Sequence, residues 1–510
     1  MKTDLLLINP PYERLKGFAV GSLPNGILGL ATYVNACGFS SLVYDADTSD
    51  DGGYQLYTAK NRAESQGSYV EALEDDNHPV WQEVKKTIEK YNPSYVGVSL
   101  MTPALHSALK VMAIAKELGK KVLIGGPHVN IVKEKAFNLD YWDYIFWGEA
   151  EFSAVEFLKA AEDRDKLKKI KGLGFIEDGR QVFTGKPDRI ADLDSLPYPR
   201  RDYLLFKERY GKAELATIMA SRGCPFSCTY CASVPIWGRK VAFRSAGHII
   251  EEIKYLLDEF GINEFRFFDD TFTIKKKNLV DFCELLIENF GERYFSWWCL
   301  SHVSAINKDT LTLLQRAGCD QIQIGVESGS QEIVDRITKR MKLTDVEEAI
   351  ALAKSMGMWV HTFFLIGLPY ETRENMRQTI NFLKKIKPDS INLCTFTPHP
   401  GTALYGYCLD KGLLEEDEDY EMYKYVGHHS INNYFLESVS REDFKEICLE
   451  IFALVAELNS RLNFRKLKYR LKTLSVSKLK RRILIYWNMF MLKLQLSPGK
   501  KTQTGPTSSQ

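Results

Sequence analysis

The sequence predicts an α/β protein made of two consecutive strand–helix arrays followed by a helical region. Three observations carry that prediction. Short apolar runs bounded by Gly and Pro alternate with helical patterns over the first third of the chain, the alternation resumes with longer helices from about residue 214, and beyond about 405 the pattern turns helical. A length of 510 residues is too great for one ordinary core and implies two to four domains. With 45% hydrophobic and 26% charged residues, the chain is not collagen-like, mostly disordered or a polytopic membrane protein. Sixty-seven basic against 66 acidic side chains leave a formal charge of +1, which argues against a general nucleic-acid binder.

In the first third, DLLLINPP (4–11), SSLVYDAD (40–47), YVGVSLM (95–101), KVLIGGP (121–127) and DYIFWGE (143–149) read as strands. Helices are expected over 26–37, near 81–91 and over 104–118, with a polar stretch at 50–80. Apolar strands alternating with helices imply a parallel, doubly wound sheet over 1–162. Ligands bind such sheets at the C-terminal strand ends, where Asn9, Ser99, Thr102 and the pair Gly125-Gly126 fall. His128, just after Gly-Gly-Pro, reads as a loop residue.

Residues 163–213 read as a linker with a small hairpin around Asp178-Gly179, marked by Pro197, Pro199 and Arg200-Arg201. From 214 to 405 the runs ATIMAS, EFRFFDD, FSWWCLS, QIQIGVES, WVHTFFLIG and SINLCTFTP give six β/α units. These make an incomplete (β/α)6 barrel of TIM type, with its chemistry at the C-terminal strand ends. Residues 406–497 are expected to be helical and 498–510 a disordered tail.

From Asn459 onward there is no Asp or Glu, against about a dozen Lys and Arg. The stretch 459–496 mixes these with apolar and aromatic residues, as in a basic amphipathic helix that lies on a membrane surface or an acidic partner; a docked helix with a solvated basic face has the same pattern. MKTDLLLINPP lacks the features of a signal peptide, and no apolar run reaches the roughly 18 residues needed to span a bilayer. Ten cysteines are too few for a disulfide scaffold, so a cytoplasmic setting is expected, with peripheral contact at the inner membrane surface through the basic segment.

The strongest local signal is SRGCPFSCTYCAS, which spaces Cys224, Cys228 and Cys231 as C-x3-C-x2-C just after the first barrel strand. Thiolates suit iron–sulfur clusters and zinc. Structural zinc usually takes four ligands, and the next cysteine is far off at Cys283. Three thiolates on a four-iron cluster would leave one iron open to an exogenous ligand.

This cysteine motif, with Tyr230 before its last member, resembles the hallmark of the radical S-adenosylmethionine (SAM) superfamily. The resemblance implies a [4Fe-4S] cluster held by Cys224, Cys228 and Cys231, whose open iron is chelated by SAM. One electron then cleaves SAM to methionine and a 5′-deoxyadenosyl radical. Such a cofactor supplies chemistry at unactivated C–H bonds that acid–base side chains cannot. EFRFFDDTF (264–272) is similar to the second-strand motif that meets the SAM amino group, which brings in Phe268, Asp269 and Asp270. QIGVESGS (323–330) resembles the fourth-strand motif in which Glu327 or Ser328 would bind the ribose. FFLIGLPYET (363–372) resembles the segment whose backbone touches adenine, at Ile366 and Gly367, and TPHPGTALY (397–405) the sixth-strand exit. On the third strand His302 stands where relatives often carry Arg, and it is given no role.

LLLINPP, SLM, IGGPH, WGEAE and WGRKVAFRS (237–245) resemble the B12-dependent branch of that superfamily, whose N-terminal domain binds cobalamin. The resemblance makes Asn9, Ser99, Thr102, Gly125 and Gly126 candidate cobalamin contacts. Other cobalamin modules carry D-x-H-x-x-G after the first strand; here NPPYERLKG lacks that Asp-x-His, so the lower cobalt ligand would be missing. The competing readings are an empty flavodoxin-like domain and a nicotinamide fold, the latter lacking its G-x-G-x-x-G.

The function implied is methylation of an unactivated carbon of a small-molecule or lipid-like metabolite, fed by an electron donor such as flavodoxin or ferredoxin. The alternative enzyme is a cyclase, ring-rearranging or oxidative relative with the same cofactors. Outside catalysis, the alternative is an iron–sulfur electron-transfer or redox-sensing protein.

Overall fold

The computed structural model describes residues 3–18, 23–49, 59–417 and 419–460. The basic segment after Ser460 and the expected tail lie outside them. The described residues up to Asn459 form one compact unit.

Its first layer is a seven-stranded sheet. The strands β1 (Leu5–Asn9), β2 (Ser41–Asp45), β3 (Tyr95–Ser99), β4 (Lys121–Gly125) and β5 (Tyr144–Phe146) run parallel in the order β2-β1-β3-β4-β5. Because β2 and β3 leave β1 in opposite directions, a crevice opens at the C-terminal ends of β1 and β3. The hairpin in 163–213 does not hang between domains. Its strands β6 (Leu173–Glu177) and β7 (Arg180–Phe183) extend the sheet antiparallel to β5, joined at Asp178 and Gly179, both at positive φ as a tight hairpin turn requires. Arg201, expected to mark a linker, is fully buried. It is ion-paired at 2.6 Å with Glu252, which also binds Arg244 at 2.6 Å, so this segment is riveted to the barrel's first long helix, Ala246–Phe260.

The second layer is a parallel six-stranded sheet: β8 (Thr217–Ile218), then, after the short hairpin β9 (Ser221–Arg222) and β10 (Ala242–Phe243), β11 (Glu264–Phe267), β12 (Ser296–Ser301), β13 (Cys319–Glu327), β14 (Trp359–Ile366) and β15 (Ser390–Thr395). Each sequence-derived barrel run overlaps one of these six, and five contain theirs whole; QIQIGVES starts two residues inside β13. The open edge of β15 is covered. Asn459 exchanges two hydrogen bonds with the Ile391 backbone at 2.8 and 2.9 Å, and the His428 carbonyl accepts from Thr395 N at 2.7 Å.

Two stretches differ from the sequence reading. The polar stretch at 50–80 contains a helix, Ala59–Glu74, whose Tyr69 is buried. Few apolar residues punctuate it, so its period is faint. Conversely, residues 411–440 are mostly irregular among the described residues. Only Glu421–Lys424 is helical there, and the helix Arg441–Ser460 follows. Asn433 explains part of this: its amide donates to Thr395 and Thr397 Oγ1 and to the carbonyls of Phe396 and Gly427, a side-chain network that competes with helix formation.

Candidate functional site

The cysteine loop leaves β9 through Gly223, at a φ of +103° where a Cβ would lie 2.8 Å from the Lys240 carbonyl oxygen, so a side chain is disfavoured there. It is pinned by Thr229 N to the Ile337 carbonyl (3.1 Å), by Thr338 Oγ1 to the Ser227 carbonyl (2.6 Å) and by Phe226 stacked on His302 at 4.2 Å. His302 in turn meets Ser304 and the Lys339 carbonyl, so it shapes the loop. Cys224, Cys228 and Cys231 are half-buried and free of disulfides, as are the other seven cysteines. Burial pushes all three thiols up, Cys231 to about 11. Among the described residues no group of three or more His, Cys, Asp or Glu closes on a single metal ion. Three soft thiolates carried by one loop fit a cluster gripped at separate irons.

Around this loop the barrel ends assemble. Asp270 accepts from Ser233 Oγ at 2.6 Å and bears electrostatically on Cys224 and Cys231. Its neighbour Asp269 turns inward, bonded to Ala220 N and Ser221 Oγ, where burial raises it to about 6. Phe268 stands 43% exposed at the barrel mouth. Glu327 ends β13 at a positive φ of 68°, beside a register shift, a strained conformation for a non-glycine residue. It pairs with Lys339 at 2.7 Å, and Lys339 also reaches Tyr230 Oη at 3.3 Å. Ser328 is buried and engaged with Thr379 and Ser330, which leaves Glu327 as the carboxylate turned toward the cysteine loop.

Ile366 is buried at the end of β14, and Gly367 follows at φ +81° against the ring of Phe444. Glu371 accepts from the backbone N–H of both Gly367 (2.7 Å) and Leu368 (3.2 Å), and burial pushes its carboxyl up to about 8. Sequence reasoning missed Lys339 and Glu371 as site residues. Glu371 stood inside the quoted FFLIGLPYET, but only the fold shows that it holds the loop; Lys339 carried no local signal.

The sheet crevice opens into a cavity of about 360 Å³. Ser99, Gly125 and Gly126 line it, as does Asn25, whose buried Oδ1 has no partner. A Cβ on Gly126 would lie 3.0 Å from the Leu100 backbone and from Ser99 Oγ, so glycine keeps the approach open. Asn9 and Thr102 are elsewhere: Asn9 Nδ2 donates to Asp45 at 2.8 Å, and Thr102 meets the buried His128 at 3.0 Å. The far wall belongs to the barrel. Arg222, two residues before Cys224, bridges Glu149 and Glu151 at 2.7 Å each, and Arg189 joins Glu149 at 3.0 Å. WGEAE is thereby tied to the root of the cysteine loop. A roomy crevice with an orphaned acceptor and close-approach glycines fits a large cofactor such as cobalamin.

Residues 218–383 match the Radical SAM superfamily and residues 55–158 the B12 binding domain. An uncharacterized methyltransferase of Pyrococcus horikoshii is 33% identical over 359 residues, which cover 69% of this chain and 77% of the relative. The chain belongs to the B12-dependent radical SAM family. Its cofactors are accordingly a [4Fe-4S] cluster, SAM and cobalamin. An anaerobic magnesium-protoporphyrin IX monomethyl ester cyclase of Cereibacter sphaeroides is 27% identical over 370 residues, 70% of this chain and 59% of that protein. Among solved structures, the radical SAM methyltransferase TsrM of Kitasatospora setae, with cobalamin and [4Fe-4S] cluster bound, superposes with a TM-score of 0.63 at 17% identity, covering 80% of this chain and 76% of that one; it shares the fold. Among the described residues no helix is long and apolar enough to cross a membrane.

Proposed function

We propose that this protein is a methyltransferase that acts on an unactivated carbon of a small-molecule or lipid-like substrate. The observation that carries this reading is the Arg222 bridge, which places the crevice wall and the start of the cysteine loop within one hydrogen-bonded cluster. When bound, the cluster, SAM and cobalamin supply radical generation and a transferable methyl group. The chain's own residues position them. Cys224, Cys228 and Cys231 hold the cluster; Asp270, Glu327, Lys339 and the Ile366–Gly367 backbone frame SAM; Asn25, Ser99, Gly125 and Gly126 frame cobalamin.

We assign the substrate to a second cavity. It measures about 410 Å³ and lies where the loop after β1 (Tyr12, Glu13, Lys16) meets His361, Asn392 and His428 of the barrel side. Its size suits a small molecule. Burial lowers His361 to about 4, so at neutral pH it offers an uncharged imidazole. The loop that bears the cobalt-binding His in other cobalamin modules thus faces this cavity here. A one-electron donor of the flavodoxin or ferredoxin class completes the reading, and the free cysteines suit a reducing, cytoplasmic setting.

The similarity to a magnesium-protoporphyrin cyclase keeps one second reading, cyclisation with the same cofactors. Incubation with methyl-deuterated SAM and candidate substrates separates the two. Methylation predicts a product heavier by one labelled methyl group; a product changed without gaining the label supports cyclisation instead.

A further inference from the structure

Among the described residues, the second cavity is walled almost entirely by groups that form hydrogen bonds. Tyr12 supplies a phenol, His361, His428 and His429 imidazoles, and Asn392 an amide; Ile391 alone brings an aliphatic side chain. The two ionic groups of the wall cancel, since Lys16 pairs with Glu13 at 3.1 Å. Burial lowers His361 to about 4 and lowers His428 as well, so both imidazoles are uncharged at neutral pH. Neither the Asn392 amide nor the His428 ring has a hydrogen-bond partner among the described residues. Strand register extends the wall. The part-buried residues that alternate with buried ones are His361 and Phe363 on β14, Ser390 and Asn392 on β15. His361 lies beside Ser390 and Phe363 beside Asn392, with the Phe363 ring edge-on to His361 at 4.7 Å. An aromatic ring therefore borders the polar wall.

Uncharged imidazole, amide and phenol share one property: each both donates and accepts a hydrogen bond. A hydroxyl group does the same. A carboxylate or phosphate only accepts, and it would compete with Glu13 for Lys16. An apolar chain would leave the whole wall unpaired, at a cost for every group it desolvates. We propose that this cavity receives a hydroxyl-rich, sugar-like molecule, with its hydroxyls on His361, Asn392 and His428 and the C–H face of its ring against Phe363. A wall built to pair hydroxyls rejects a substrate without them far more strongly than an apolar wall rejects an added hydroxyl. Of the two substrate classes, small polar molecule and lipid, the wall thus selects the first. This inference rests on the assignment of the cavity to the substrate.

Labelling by the reconstituted holoenzyme tests it. Methyl-deuterated SAM is supplied together with an extract of the cells that make the protein, divided into aqueous and chloroform phases. The labelled product should come from the aqueous phase, and acetic anhydride should add several acetyl groups to it. A labelled product from the chloroform phase, or one that takes up no acetyl group, overturns the substrate class and leaves methyl transfer standing. No labelled product from either phase overturns the methyltransferase reading and this inference with it. Two variants tie the class to the cavity. His361→Phe and Asn392→Leu should each raise the amount of aqueous extract needed for half-maximal labelling about tenfold, at the iron content of the wild type. Asn392→Leu loses no hydrogen bond within the described protein, so it serves should His361→Phe fail to hold iron. Labelling curves that coincide with the wild type overturn the role given to the wall.

Discussion

Glu371 shows how a single buried carboxyl can hold a cofactor-contacting loop. Its Oε2 takes the two N–H groups that follow β14, while its Oε1 is buried without a partner. Burial raises it from 4.5 to about 8, so it is largely protonated at neutral pH. A carboxyl raised on folding stabilises the protein fully below its ordinary range, and that contribution fades as pH climbs through the raised value. Thermal stability of the wild type should therefore fall between about pH 5 and pH 9 by more than that of Glu371→Gln, which cannot ionise. Glu371→Ala should cost about 2–4 kcal/mol in denaturant unfolding, because two buried N–H groups lose their acceptor. At the cysteine loop, Cys228→Ala should abolish the iron that the wild type binds at about four per chain, read by iron analysis after anaerobic reconstitution. The C-x3-C-x2-C spacing singles out the three thiols in the sequence. Lys339 carries no such mark: it lies more than a hundred residues from Tyr230 along the chain, and only the closing of the barrel brings the two to 3.3 Å.

At the scale of elements, the strands were the readable part. The first-sheet strands, mostly buried on both faces, show as apolar runs, whereas barrel strands such as β12 and β15 alternate buried with part-buried residues and show as a period of two. The helix Ala59–Glu74 escaped for the opposite reason, having a mean composition too polar for its period to show. Residues 197–201 differ in character from what their sequence suggests. Pro197, Pro199 and two arginines suggest a solvated linker, yet Arg201 is fully buried on Glu252. Glu252→Ala should destabilise by about 3–5 kcal/mol, since it strands two guanidinium groups inside the fold. At the barrel's edge, Asn459→Ala should cost about 1–2 kcal/mol and speed amide exchange at Ile391, whose backbone it leaves unpaired.

For the whole molecule, what matters is that the crevice of the first sheet and the cysteine loop of the second share a wall. Arg222 could be placed there only by the fold, although WGEAE and SRGC were each conspicuous as sequence. Three thiolates would hold the cluster and leave one iron for SAM. Release of 5′-deoxyadenosine by the reconstituted, strongly reduced protein given SAM tests this most directly. Release is expected from the wild type and none from Cys228→Ala. A fully loaded cluster that yields no 5′-deoxyadenosine, or zinc found where iron belongs, would contradict it.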